Sequence, residues 1–263
     1  MKRICLLTSC CIAGSVIVAI GCSPAAKKAE QPAAQAQQPA LPAFHVDLAT
    51  AGSISGTIRY IGPRPAPKKI DMSEDPACVA AHQGKAVDES LVVSPKGALG
   101  NAFIYIKAGL EGKRFETPST PVTIDQKGCW FRPRVLGIQT GQTLEVVNSD
   151  PVTHNIHPMA QINREWNHSQ GAGDAPLARR FIKPEVMIRV KCNIHSWMRA
   201  FIGAVDNPYF AVSKDDGSYT IQNLPPGTYT LGIWQENLGT QEQQVTVLPH
   251  ANTSANITFQ HHL

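Results

Sequence analysis

Cys192-Asn193-Ile194-His195-Ser196-Trp197-Met198 places a thiol, an imidazole and a thioether within seven residues. The run before it, Glu185-Val186-Met187-Ile188-Arg189-Val190-Lys191, alternates apolar and polar side chains, the period of a half-buried strand. A cysteine at the end of a strand, followed by a tight loop, puts sulfur and imidazole on one side of a bound ion. Upstream, Asn148-Ser149-Asp150-Pro151-Val152-Thr153-His154-Asn155-Ile156-His157 follows a second strand-like run, Thr143 to Asn148. One imidazole from that segment completes two nitrogens, one thiolate and a weak thioether, the donor set of a mononuclear blue-copper site. Positions three apart in a strand face opposite ways, so His154 and His157 are not expected to share one ion. The candidates are therefore Cys192, His195 and Met198 with one imidazole from the upstream segment, His154 being the fourth candidate.

Working outward, the chain reads as all-β. Ser53 to Tyr60 alternates and stops at Gly62-Pro63; Ala102 to Lys107 is a strand closed by Gly109. A short helix is expected around Asp75 to His82. Val122 to Ile124, Phe131 to Ile138 and Thr143 to Asn148 follow as strands, and Ile156 to Ala178 reads as one long polar loop. Further on, Asp215-Asp216-Gly217-Ser218-Tyr219-Thr220-Ile221 and Asn223-Leu224-Pro225-Pro226-Gly227-Thr228-Tyr229-Thr230-Leu231 each carry a turn signal and then a strand. Many short strands at close spacing predict sandwiches or barrels.

The chain has 263 residues. Lys2 and Arg3 precede an apolar run from Ile4 to Ile20, the form of a secretory leader over residues 1–21. Val18-Ala19-Ile20-Gly21-Cys22 resembles a bacterial lipobox, which implies that Cys22 is lipidated and anchors the chain to a membrane in the periplasm; plain secretion is the alternative. Residues 22–48, rich in Ala, Gln and Pro, form a linker that lacks the apolar surface to offset its ordering entropy. The formal net charge of +4 comes without a Lys/Arg block, so no nucleic-acid partner is expected.

Of seven cysteines, Cys5, Cys10 and Cys11 fall in the leader. With Cys22 set aside, Cys78, Cys129 and Cys192 remain, an odd number for an oxidising compartment. The simplest arithmetic pairs Cys78 with Cys129 and frees Cys192. Any other pairing removes the thiolate from the proposed donor set.

The segment from Thr123 to Val205 resembles the cupredoxins, and amicyanin among them, through the paired motifs His154-Asn155-Ile156-His157 and Cys192-x2-His195-x2-Met198. Arg199 to Val205 resembles the last strand of that fold. The likeness implies a Greek-key sandwich with one copper ion held by His154, Cys192, His195 and axial Met198. It also gives Asn155 a bracing role near the Cys192 sulfur. Trp197 stands where the likeness expects Phe; it is expected to pack beside His195, on an apolar rim where a redox protein partner docks. The stretch Asp215 to Leu231 resembles the carboxypeptidase regulatory-like domain, a small carbohydrate-binding-like β-sandwich. Such domains open with a strand like Gly52 to Ile58. This predicts a split sandwich, residues 49–112 with 206–263, carrying a copper domain inserted at 113–205; consecutive domains are the alternative.

The expected function is therefore single-electron transfer rather than catalysis. His82, His157, His168 and His250 form no second cluster in the sequence, and no nucleophile motif stands out. Two other readings fit the same residues: a copper or zinc carrier without redox duty, and an adhesive or glycan-binding module whose cupredoxin domain has no metal.

Overall fold

The computed structural model describes residues 42–64 and 66–260. The leader, Cys22 and the linker up to residue 41 lie outside the described residues. Strand β1 (Gly52–Ile61) is followed by helix α1 (Pro76–His82) and β2 (Phe103–Ala108). Next come β3 (Val122–Gln126), β4 (Phe131–Arg132), β5 (Val135–Gln139), β6 (Leu144–Asn148), β7 (His154–Pro158), β8 (His168–Gln170), β9 (Leu177–Arg179), β10 (Glu185–Lys191) and β11 (Arg199–Val205). The chain closes with β12 (Phe210–Val212), β13 (Ser218–Leu224), β14 (Gly227–Gln235), β15 (Gly239–Val247), β16 (Asn252–Ser254) and β17 (Ile257–Gln260). Among the described residues the fold is all-β apart from one short helix.

Two sheets come entirely from the middle of the chain, in the orders β5-β11-β10-β7-β8 and β4-β3-β6-β9. They enclose a core that includes Ile124, Phe131, Ile138, Val146, Ile156 and Val190. The other two sheets combine both ends of the chain. One has the order β13-β1-β16, with β17 also paired to β1; the other is β12-β2-β14-β15. Their core includes Ile58, Ile104, Leu231 and Phe259. The connection between β1 and β2 does not stay with its own strands: Met72, Cys78 and Ala86 are buried in the core of the β3–β11 sandwich.

The segment from Ile156 to Ala178 differs from the expected loop. Its start belongs to β7, and β8 and β9 interrupt the rest. The reason is pairing rather than local periodicity: β8 adds to β7 and β9 adds to β6, each through three residues. Strands this short carry no readable alternation.

The two sandwiches meet where β5 and β11 pair with Gly137 opposite Gly203. A Cβ on Gly203 would lie 2.4 Å from the Phe103 ring, and one on Gly137 would lie 2.3 Å from the Phe210 ring. The two glycines thus leave a flat on which two aromatic rings of the other sandwich rest. A second link is ionic. Arg134, beside β5, donates from Nε and Nη2 to Glu236 at 2.7–2.9 Å, and the pair is almost wholly buried. Burial pushes the Glu236 carboxyl up, against the pull of the Arg134 guanidinium.

Helix α1 starts at Asp75, whose side chain accepts from Ala77 N and Cys78 N, with Pro76 at the first helical position. Cys78 is disulfide-bonded to Cys129, just before β4, and Cys192 is free and buried.

Two stability outcomes follow. Gly203→Ala should overpack the junction and cost about 1–3 kcal/mol, read as a lowered Tm in calorimetry. The disulfide closes a loop with a sequence separation of 51. Cys78→Ala with Cys129→Ala should therefore cost roughly 4 kcal/mol by loop entropy, read in urea unfolding; a loss under 1 kcal/mol would contradict it.

Candidate metal centre

Strand β10 ends at Lys191, and the next residue, Cys192, enters a closed turn. Its amide donates to Met198 O at 3.2 Å, and the Met198 amide donates to His195 O at 3.0 Å. These bonds return the chain into β11 and turn Cys192 and His195 inward, leaving Asn193 and Ile194 exposed. Strand β7 supplies the second imidazole: His154 pairs with Gln170 of β8 and is fully buried.

His154, His195 and Cys192 bring their ligand atoms within 4.8 Å of one another, and all three residues are buried. The two Nδ1 atoms lie 2.9 Å apart, and Cys192 Sγ lies 3.9 Å from His195 Nδ1. Metal bonds of about 2.0–2.3 Å span donors roughly 3.3–3.8 Å apart. The sulfur–nitrogen spacing lies just above that range and the two nitrogens lie just below it. Met198 is fully buried in the same core.

The sulfur is ringed by backbone donors. Backbone amides of Asn155 (3.3 Å), His195 (3.3 Å) and Ile194 (3.4 Å) all donate to Cys192 Sγ. Asn155 does more than supply its amide. Its side-chain oxygen accepts from Asn193 N at 3.2 Å, and its Nδ2 donates to the oxygens of Asn167 and His168. The long segment after β7 thereby helps to hold the turn.

Both imidazoles are also held at their outer nitrogen, which the sequence did not suggest. His154 Nε2 lies 2.8 Å from Asp150 Oδ2, and His195 Nε2 lies 3.1 Å from Asp75 Oδ2. Burial pushes the His154 imidazole down, against the pull of Asp150. At Asp75, burial works upward; the hydrogen bond from His195 and the amides of Ala77 and Cys78 outweigh it and hold the carboxyl low. A short helix was expected around Asp75 to His82, but nothing local tied Asp75 to a histidine 120 residues away.

Trp197 packs on His195 with ring centroids 5.1 Å apart, and its Nε1 donates to Cys129 O. His195 is only 4 % exposed, however, so the expected rim does not open onto its edge. Asp75 occupies that side. His157 stays outside the cluster, paired with Glu165, and His168 contributes its carbonyl oxygen to Asn155.

No curated protein matches this chain in sequence. The profile of polysaccharide lyase family 4, domain II, matches residues 193–255; it is not the carboxypeptidase regulatory domain that the turn pattern resembles. Similar solved structures include a copper-containing nitrite reductase from Thermus scotoductus, 27 % identical, over 36 % of this chain and 24 % of that one, with TM-score 0.32. This chain therefore spans about a quarter of that enzyme. A purple cupredoxin from Nitrosopumilus maritimus is 20 % identical over 32 % of this chain and 98 % of its own, with TM-score 0.27. An amicyanin variant in its Cu(I) state is 16 % identical over 38 % of this chain and 97 % of its own, with TM-score 0.29.

Proposed function

We propose that the chain is a mononuclear blue-copper protein that carries single electrons. The observation that supports this most is the donor set itself: two buried Nδ1 atoms and a buried sulfur that accepts three amides, within 4.8 Å of one another. His154, His195 and Cys192 would hold the ion, and Met198 would be the axial thioether. Copper bound there would supply a one-electron couple. The residues do the rest: the closed Cys192–Met198 turn limits reorganisation, and the amides on the sulfur tune the potential.

The electron's route to a partner is proposed to run through Trp197. His195 is covered, whereas Trp197 is half-buried and lines a groove of about 300 Å³ together with Lys68, Lys69, Ser196 and Arg199. A redox protein with an acidic face would suit the exposed Lys68, Lys69 and Arg199, which outnumber Asp71 and Asp88 in the same groove, and transient redox contacts need little area. The sandwich of β1, β2 and β12–β17 would serve as a scaffold. The leader and Cys22 suggest a periplasmic lipoprotein. We assign the chain no catalytic step.

The test is an absorption and electron paramagnetic resonance titration with Cu²⁺, beside Cys192→Ala and a voltammogram. The expected result is an intense thiolate-to-copper band lost in the variant, with a reversible one-electron wave. A colourless protein that retains Zn²⁺ through Cys192 would instead make it a carrier.

A further inference from the structure

We propose that Asp75 and Asp150, joined through the Cys78–Cys129 disulfide, form an outer brace that fixes both imidazoles and lowers the reduction potential of the centre. This inference rests on the copper reading above. The two carboxylates are arranged alike. Asp75 reaches His195 Nε2 with Oδ2, and its Oδ1 accepts from Ala77 N at 2.9 Å and Cys78 N at 3.3 Å. Asp150 reaches His154 Nε2 with Oδ2, which also accepts from Cys129 N at 2.7 Å, and its Oδ1 accepts from Gly128 N at 2.6 Å. Each acid thus grips one imidazole and the backbone amide of one half-cystine. The bond between Cys78 and Cys129 closes the chain from His195 through Asp75, α1 and Asp150 to His154.

Three physical consequences follow. An Nε2 proton donated to a carboxylate leaves Nδ1 unprotonated and aimed at the ion, so the brace selects the ligating tautomer. Two carboxylates beside the imidazoles favour the more positive oxidation state, which lowers the potential. The disulfide stops the two acids from moving apart, so neither ring can turn without breaking a hydrogen bond. Asp75 and Asp150 are positioning residues: they act through the histidines.

A purely structural role for Asp75 would be that of helix cap. Asparagine caps a helix about as well as aspartate. In Asp75→Asn, Oδ1 still serves the Ala77 and Cys78 amides, while an NH₂ replaces the oxygen facing His195. The substitution therefore separates cap from brace. Asp150→Asn is a less selective companion, because Asp150 Oδ2 serves both His154 Nε2 and the Cys129 amide.

The experiment uses the full chain loaded with Cu²⁺, comparing wild type, both Asn variants and Cys78→Ser with Cys129→Ser. Asp75→Asn should leave the Tm of the metal-free protein within a few degrees of wild type, while Asp150→Asn also gives up a backbone amide and should lower it further. Their Cu²⁺ affinity should fall about 10–100-fold, and their potential should rise. A tenfold loss felt by Cu(II) alone corresponds to about 59 mV. The disulfide variant should shift the potential in the same direction, and combined with Asp75→Asn it should shift it by less than the sum. A normal copper band with unchanged potential and hyperfine splitting in both Asn variants would overturn the brace. A wild type with no copper band would sink the copper reading instead. In that case ¹⁵N spectra of the metal-free protein test the brace: Nε2-protonated His154 and His195 in wild type, changed in the Asn variants, support it, and unchanged rings overturn it.

Discussion

Two imidazoles and a thiol are closed away from water at one point of this molecule, and every polar atom they bring there needs a partner. The structure supplies each one. The two Nδ1 atoms face each other, each Nε2 faces a carboxylate, and the sulfur faces three amides. The partners come from four separate segments: the cap of α1, the turn before β7, β7 itself and the β10–β11 turn. Moving any one of them strands a buried donor or acceptor, at about 1–3 kcal/mol.

That requirement accounts for the way the chain is routed. The centre lies in the β3–β11 sandwich, yet one of its four holding points, Asp75, comes from the connection between β1 and β2. This connection leaves the strands on either side of it, buries Met72, Cys78 and Ala86 in the other core, and is locked there by the disulfide. The sandwich built from both chain ends is therefore joined to the centre three ways: by the glycine flat under Phe103 and Phe210, by the Arg134–Glu236 pair, and by this strap. The strap also explains why the edge of His195 is covered and why Trp197 offers the more open face.

The parts of this arrangement that were legible in sequence share one property: their signals are local. Glu185 to Lys191 alternates, a short helix is expected around Asp75 to His82, and Cys192-x2-His195-x2-Met198 is a compact motif. Cys78 and Cys129 could be paired only by counting, and they are bonded in the structure. Where the signal is a partner far along the chain, the sequence is silent. Strands β8 and β9 exist because β7 and β6 accept them, so a polar stretch with no period of its own read as a loop. Asp75 and Asp150 look like ordinary turn and cap residues until the fold sets them against His195 and His154. The turn pattern of Asp215 to Leu231 shows the limit of family likeness. It resembles one sandwich family, while the profile that matches residues 193–255 belongs to another.

The central claim is that one sulfur and two imidazole nitrogens from Cys192, His154 and His195 bind one copper ion. X-ray absorption at the copper edge of the stoichiometrically loaded full chain addresses it directly. The account predicts one sulfur scatterer at about 2.1–2.3 Å and two imidazoles at about 2.0 Å. A shell of only nitrogen and oxygen, or one with two or more short sulfur scatterers, would contradict it.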